Sequence, residues 1–204
     1  MYQRIIKRIL DIVISLLALI ALSPLLIIIT IAIKAEDPGP AFFRQKRVGI
    51  HKSYFDIVKF RTMRVETPKD IPTHMLTAPD KWITRVGRVL RTTSLDELPQ
   101  LHQILQGKMS LIGPRPALWN QEDLIALRDK YGANDIMPGL TGWAQVNGRD
   151  TLELEKKARL DGEYARNVSF GFDVRIFALT VVRVFRHSGV VEGGTGAAEE
   201  ERKA

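Results

Sequence analysis

An apolar run from Ile12 to Ile33, interrupted by Ser23-Pro24, constrains this chain more than any other feature. An α-helix rises ~1.5 Å per residue, so such a run just covers a hydrocarbon core ~30 Å thick. Pro24 has no N–H to donate and its ring clashes with the preceding turn, which kinks or breaks a helix there. Basic residues flank both ends: Arg4, Lys7 and Arg8 before the run, then Lys34, Arg44, Lys46 and Arg47 after it. Positive flanks favour the cytoplasmic side of a membrane. A helix that enters, bends at mid-depth and leaves by the same face satisfies both features; an ordinary kinked anchor that spans the membrane is the alternative. The pattern leaves both open. Pro24 strips the Ile20 carbonyl of its donor, and the Ser23 hydroxyl is expected on the Leu19 carbonyl, a local repair that lipid tolerates.

The 204 residues suffice for one domain with a proper core plus this membrane element. A net charge of +7 suits anionic lipid, a phosphorylated substrate or nucleic acid. No aromatic-interleaved basic stretch of the RNA-reading kind accompanies it, so nucleic acid is set aside. With no cysteine, there is no disulfide framework and no thiolate metal site. The apolar run is too long for a signal-peptide core and lacks a small-residue cleavage site.

Residues 2–11 read as a basic helical lead-in, with Lys7 and Asp11 as i,i+4 partners. Asp37-Pro38-Gly39-Pro40 ends the membrane element. Ala41 to Arg44 and Tyr54 to Arg61 read as a hairpin, and Pro68, Pro72 and Pro79 mark a loop. Helices are expected over Trp82 to Arg91, Leu98 to Gln106 with Pro99 in its first turn, Asn120 to Tyr131, Leu152 to Asn167 and Val174 to Arg186. The last places Phe177, Val181 and Phe185 on one side, a pattern that suits either the headgroup plane or a core. The fold class is therefore α+β, mostly helical, with one small hairpin.

The leading chemical candidate is Ser94-Leu95-Asp96-Glu97-Leu98-Pro99-Gln100. Two adjacent carboxylates at a helix start can divide labour, one as nucleophile and one as metal ligand, beside a phosphate. Local chemistry also accommodates a purely structural role, because Ser94 with Glu97 spells a capping box. Basic residues surround the candidate in sequence. Arg85, Arg88 and Arg91 recur every third residue, and Arg115 sits between Pro114 and Pro116, which restrains its guanidinium fork. Lys59 and Arg61 close a strand, and Arg149 follows the Asn147-Gly148 turn. The chain has no Gly-rich dinucleotide or P-loop cradle and no Asp-x-Asp pair of the metal-diphosphate type. Its four histidines show no metal-ligand spacing.

Taken in order, these motifs are distinctive. Lys7-Arg8 with Asp11, Ser23-Pro24, Lys59-Phe60-Arg61-Thr62-Met63, the Ser94–Gln100 segment, Gly107-Lys108-Met109-Ser110, Gly113-Pro114-Arg115-Pro116 and the Pro138–Arg149 stretch follow one another from Lys7 to Gly189. In this the chain resembles the small monotopic phosphoglycosyl transferases, a bacterial sugar transferase family. The resemblance implies transfer of a sugar 1-phosphate from a UDP-sugar to polyprenyl (undecaprenyl) phosphate, with release of UMP, as the first membrane step of glycan assembly. It implies Mg²⁺, Asp96 as nucleophile and Glu97 as metal ligand. It assigns Lys59, Arg91, Arg115 and Arg149 to phosphate or nucleotide contacts. It makes residues 1–36 a re-entrant membrane helix broken at Ser23-Pro24, and residues 37–191 a catalytic domain with interfacial helices on the cytoplasmic face of the bacterial inner membrane. Residues 192–204, rich in Gly, Ala and Glu, are expected to be a disordered tail. Larger relatives carry a transmembrane bundle before this domain, and a chain that begins almost at the re-entrant helix is expected to be the minimal form. Trp119-Asn120-Gln121 are candidates for the sugar pocket. A homo-oligomer is left open. Two other readings stay in play: a lipid-binding scaffold, for which Asp96 is dispensable, and a glycosyltransferase attacking the anomeric carbon and releasing UDP.

Overall fold

The computed structural model describes residues 2–67, 81–148 and 152–186. The proline loop at Pro68, Pro72 and Pro79, Arg149 and the tail over 192–204 lie outside the described residues. A short π-turn, Tyr2–Ile6, leads into helix α1, Lys7–Glu36. Among the described residues α1 is the one helix long and apolar enough to cross a membrane. Helical geometry continues through Pro24, where a break was expected. The Ser23 hydroxyl donates to the Ile20 carbonyl at 2.8 Å, not to that of Leu19. It thus serves the very carbonyl that proline leaves without an amide donor.

The helix is apolar all round, yet it has two unlike faces. Lys7, Asp11, Ser15, Ile29 and Ile33 are buried, while Ile12, Val13, Leu16, Leu17, Ile20, Ile27, Ile28 and Ile31 are exposed. The buried stripe grips the rest of the domain at both ends. Near the start, Lys7 Nζ lies 3.0 Å from Asp173, and Asp11 accepts from the Ser110 hydroxyl at 2.7 Å and the Leu111 amide at 3.1 Å. Arg8 donates to the carbonyls of Ile104 and Leu105 at 2.6 and 3.1 Å. At the far end, the Glu36 carboxylate accepts from the amides of Arg85 and Val86, and Asp37 pairs with Arg61. The expected Lys7–Asp11 pair is present but loose at 3.9 Å, because Lys7 turns to Asp173.

Strands β1, Phe42–Val48, and β2, Tyr54–Phe60, form an antiparallel hairpin. Its inner edge is closed by a side chain: Gln103 Oε1 accepts from the Val58 amide at 2.8 Å and its Nε2 donates to the Asp56 carbonyl at 2.6 Å. Helices α2, Arg85–Thr93, and α3, Gln100–Leu105, flank the acid pair. A second sheet, not foreseen in the sequence, pairs β3, Ser110–Ile112, in parallel with β4, Gly139–Thr141. Helices α4, Glu122–Tyr131, α5, Trp143–Asn147, α6, Leu154–Arg166, and α7, Phe170–Arg186, complete the domain.

Apolar clusters tie these elements together. Ile29 and Ile33 of α1 pack with Phe60 and Leu90, and Ile57, Leu101, Ile104 and Met109 form a second cluster against Ala18 and Leu19. Helix α7 buries Ile176 and Asp173 but exposes Phe170, Val174, Phe177, Val181 and Val182. Phe177 and Val181, read as one side in the sequence, therefore face outward.

Candidate active site

The acid pair sits on a tight turn. Helix α2 ends at Ser94, whose φ of 58° and ψ of 18° are left-handed, an uncommon state for a residue with a Cβ. The chain then makes a 3₁₀ turn, Leu95–Glu97, before α3. Ser94 makes no side-chain cap, so the capping box expected from Ser94 and Glu97 does not form. Glu97 instead pairs with Arg115, whose Nη1 donates to Oε2 at 3.0 Å and whose Nη2 reaches Oε1. Asp96 is 7% exposed and points into the protein.

Three cations of separate origin converge on that carboxyl. Lys59 comes from the end of β2, Arg91 from α2 and Arg115 from the loop after β3. Burial and the neighbouring Glu97 push the Asp96 carboxyl up to about 6, against the opposing fields of Lys59, Arg115 and Arg91. Above that pH it is an anion in a desolvated setting, the form a nucleophile needs. Burial brings the Lys59 amine down to about 8, with Arg47 and Arg91 adding to the effect and Asp96 and Glu97 resisting it. Lys59 also lies 5.4 Å from the centre of the Phe43 ring. Arg91 is steadied by its Nε bond to the Thr62 hydroxyl at 2.9 Å.

The Arg115 loop owes its place to a backbone crossing. A Cβ added at Gly113 would meet the Met137 carbonyl oxygen at 2.4 Å, and one at Gly139 would meet the Gly113 amide nitrogen at 2.1 Å. Only glycines let the Gly113-Pro114-Arg115-Pro116 and Pro138-Gly139 segments pass this closely.

The structure thus brings together Asp96, Glu97, Lys59, Arg91 and Arg115. Arg61 is drawn elsewhere, to Asp37, and Trp119 sits near Lys46 on the other face of the hairpin from Lys59. Sequence reasoning missed Thr62 as the support for Arg91. It also missed Arg47, whose charge bears on Lys59 and which it counted only as a membrane flank; strand alternation with Lys59 was the signal.

The site is thus a buried carboxylate, its neighbour Glu97 and three cations. The chain belongs to the bacterial sugar transferase family, whose model matches residues 2–187. It is 43% identical to UDP-glucose:undecaprenyl-phosphate glucose-1-phosphate transferase of Escherichia coli K12, over 90% of this chain and 41% of that protein. It is 37% identical to the uncharacterized sugar transferase EpsL of Bacillus subtilis, over 96% of this chain and 95% of that one. It is 36% identical to undecaprenyl-phosphate galactose phosphotransferase of Salmonella typhimurium, over 92% and 42%. The chain spans about two fifths of the length of the Escherichia coli and Salmonella relatives.

Proposed function

We propose that the protein moves a sugar 1-phosphate from a UDP-sugar to undecaprenyl phosphate, releasing UMP, and so starts assembly of a membrane-bound glycan. The observation that carries this reading is Asp96: a buried carboxylate facing Lys59, Arg91 and Arg115, with Glu97 beside it. The Escherichia coli and Salmonella relatives are named for transfer of this kind to undecaprenyl phosphate.

In the first step an Asp96 oxygen attacks the β-phosphorus of the donor. The bond from that phosphorus to the bridging oxygen breaks, UMP leaves with the electron pair, and the sugar phosphate stays on Asp96. In the second step an oxygen of the lipid phosphate attacks the same phosphorus and Asp96 departs as carboxylate. Lys59, Arg91 and Arg115 offset the charge that gathers on the phosphoryl oxygens. Two displacements spare the enzyme from holding both bulky substrates at once.

A Mg²⁺ ion fits the donor set. Magnesium is held by one or two carboxylates together with substrate phosphates. Glu97, which the Arg115 fork also engages, would hold the ion, with Asp96 alongside. The ion would supply charge neutralisation on the diphosphate.

The same reading places the domain on the cytoplasmic face of the inner membrane, with α1 re-entrant. Support comes from α1 itself, since both of its ends are bonded to one domain. A straight spanning helix would put those ends on opposite sides of the bilayer. The exposed apolar residues of α7 suit the headgroup layer.

The test is product analysis. Protein in lipid nanodiscs, given UDP-sugars and undecaprenyl phosphate, should form UMP and a lipid diphosphate sugar in equal amounts. Stoichiometric UDP would favour attack at the anomeric carbon, and no turnover with any donor would favour the scaffold.

A further inference from the structure

The inward face of the hairpin carries a second basic residue besides Lys59. Phe43 pairs with Lys59 and Arg47 with Phe55, so Phe43, Gln45 and Arg47 share a face with Phe55, Ile57 and Lys59. From that face Arg47 reaches the loop that carries Arg115. Its Nη1 donates to the Pro116 carbonyl at 3.0 Å and its Nη2 to Gln45 Oε1 at 2.7 Å. The backbone adds to the seam: the Val48 amide donates to the Ala117 carbonyl at 2.9 Å, and Arg47 bridges to Leu118. Residues 116–118 thus dock on β1 like the stub of a third strand.

Arg115 stands one residue before this seam, with prolines fixing φ on either side of it. A shift of the seam passes directly into the guanidinium that forks onto Glu97. The Arg47 charge also bears on Lys59, so one side chain touches the setting of both partners of the acid pair. A lysine in its place would be a point charge on a flexible stem, without the planar fork that meets two acceptors at once.

We infer that Arg47 is a positioning residue for the transfer reaction, acting through its hold on the Pro116 carbonyl to set where Arg115 stands over Glu97 and Asp96. The inference rests on the transferase reading above. Its test is a double-mutant cycle in nanodiscs with Arg47→Met, Arg115→Lys and the pair, with Arg47→Lys as the milder variant. Arg47→Met should lower kcat/KM for the UDP-sugar by about a hundredfold, since small misplacements near a reacting group are costly. In the Arg115→Lys background the same change should cost less than about threefold, because the fork it positions is already gone. Arg47→Lys should fall between wild type and Arg47→Met. Equal costs in both backgrounds, or wild-type kinetics in Arg47→Met, would overturn the role. Should Arg47→Met fail to fold, the cycle is read with Arg47→Lys by the same criteria. Wild-type turnover separates the two failures, because its absence sinks the transferase reading, whereas its presence with additive costs sinks only the role of Arg47.

Discussion

Replacing Asp96 by asparagine should stabilise the ligand-free protein while abolishing its turnover. The carboxyl rises from an ordinary 3.8 to about 6 on folding, chiefly through burial. Each pH unit is worth ~1.4 kcal/mol, so the ionised carboxylate costs the fold about 3 kcal/mol at neutral pH. The direction follows from proton binding. Between 3.8 and about 6 the folded state holds more protons at this site than the unfolded state, so stability falls as pH rises through that window and is flat above it. Asparagine is nearly the same shape and never ionises. In magnesium-free nanodiscs, Asp96→Asn should therefore melt higher than wild type at pH 7.5, with the gain shrinking below pH 6 and gone near ~pH 3.5. Tryptophan fluorescence melts across that range would show it. A variant less stable than wild type at pH 7.5, or a gain that does not depend on pH, would refute the reasoning.

Two further changes test the scaffold around the site. At the hairpin tip His51 and Lys52 both hold positive φ, at 51° and 59°, a state that costs a residue with a Cβ ~1–2 kcal/mol. Lys52→Gly gives up only an exposed pair with Asp129, so chemical denaturation should show a gain of about 0.5 kcal/mol, and a loss beyond ~1 kcal/mol would contradict this. Gly113→Ala drives a methyl group against the Met137 carbonyl and should cost about 1–3 kcal/mol or more, together with most turnover, measured by melts and UMP release. Wild-type behaviour would mean the two loops do not cross as described.

How much of this was legible in the sequence depended on whether the signal was local. The long apolar helix, the hairpin and the helices ending at Gly107 and Gly132 follow from periodicity and turn residues, within a few positions at each end. Strand β1 runs four residues past its expected end, to Val48, because Gln45-Lys46-Arg47 looks like loop in a linear reading, although Gln45 and Arg47 face inward. Strands β3 and β4 escaped because three residues beside Gly and Pro carry no period, and their pairing is set by a contact 29 residues apart. The acid pair and the cations Lys59, Arg91 and Arg115 were named, but the bonding between them was not: a capping box is a local pattern, and the Glu97–Arg115 pair that replaces it is a tertiary one. The same holds for Lys7, whose nearby partner Asp11 gives way to Asp173 at the other end of the chain.

The central claim is that Asp96 carries the sugar phosphate between donor and lipid. A UDP-sugar radiolabelled in its β-phosphate, mixed with the protein and no lipid acceptor and then quenched, measures this directly. The account predicts label on the peptide containing Asp96, none on the Asp96→Asn protein, and loss of label to lipid when undecaprenyl phosphate is added before the quench. An unlabelled wild-type protein that nonetheless forms the lipid product, with the label leaving as UDP, would contradict it.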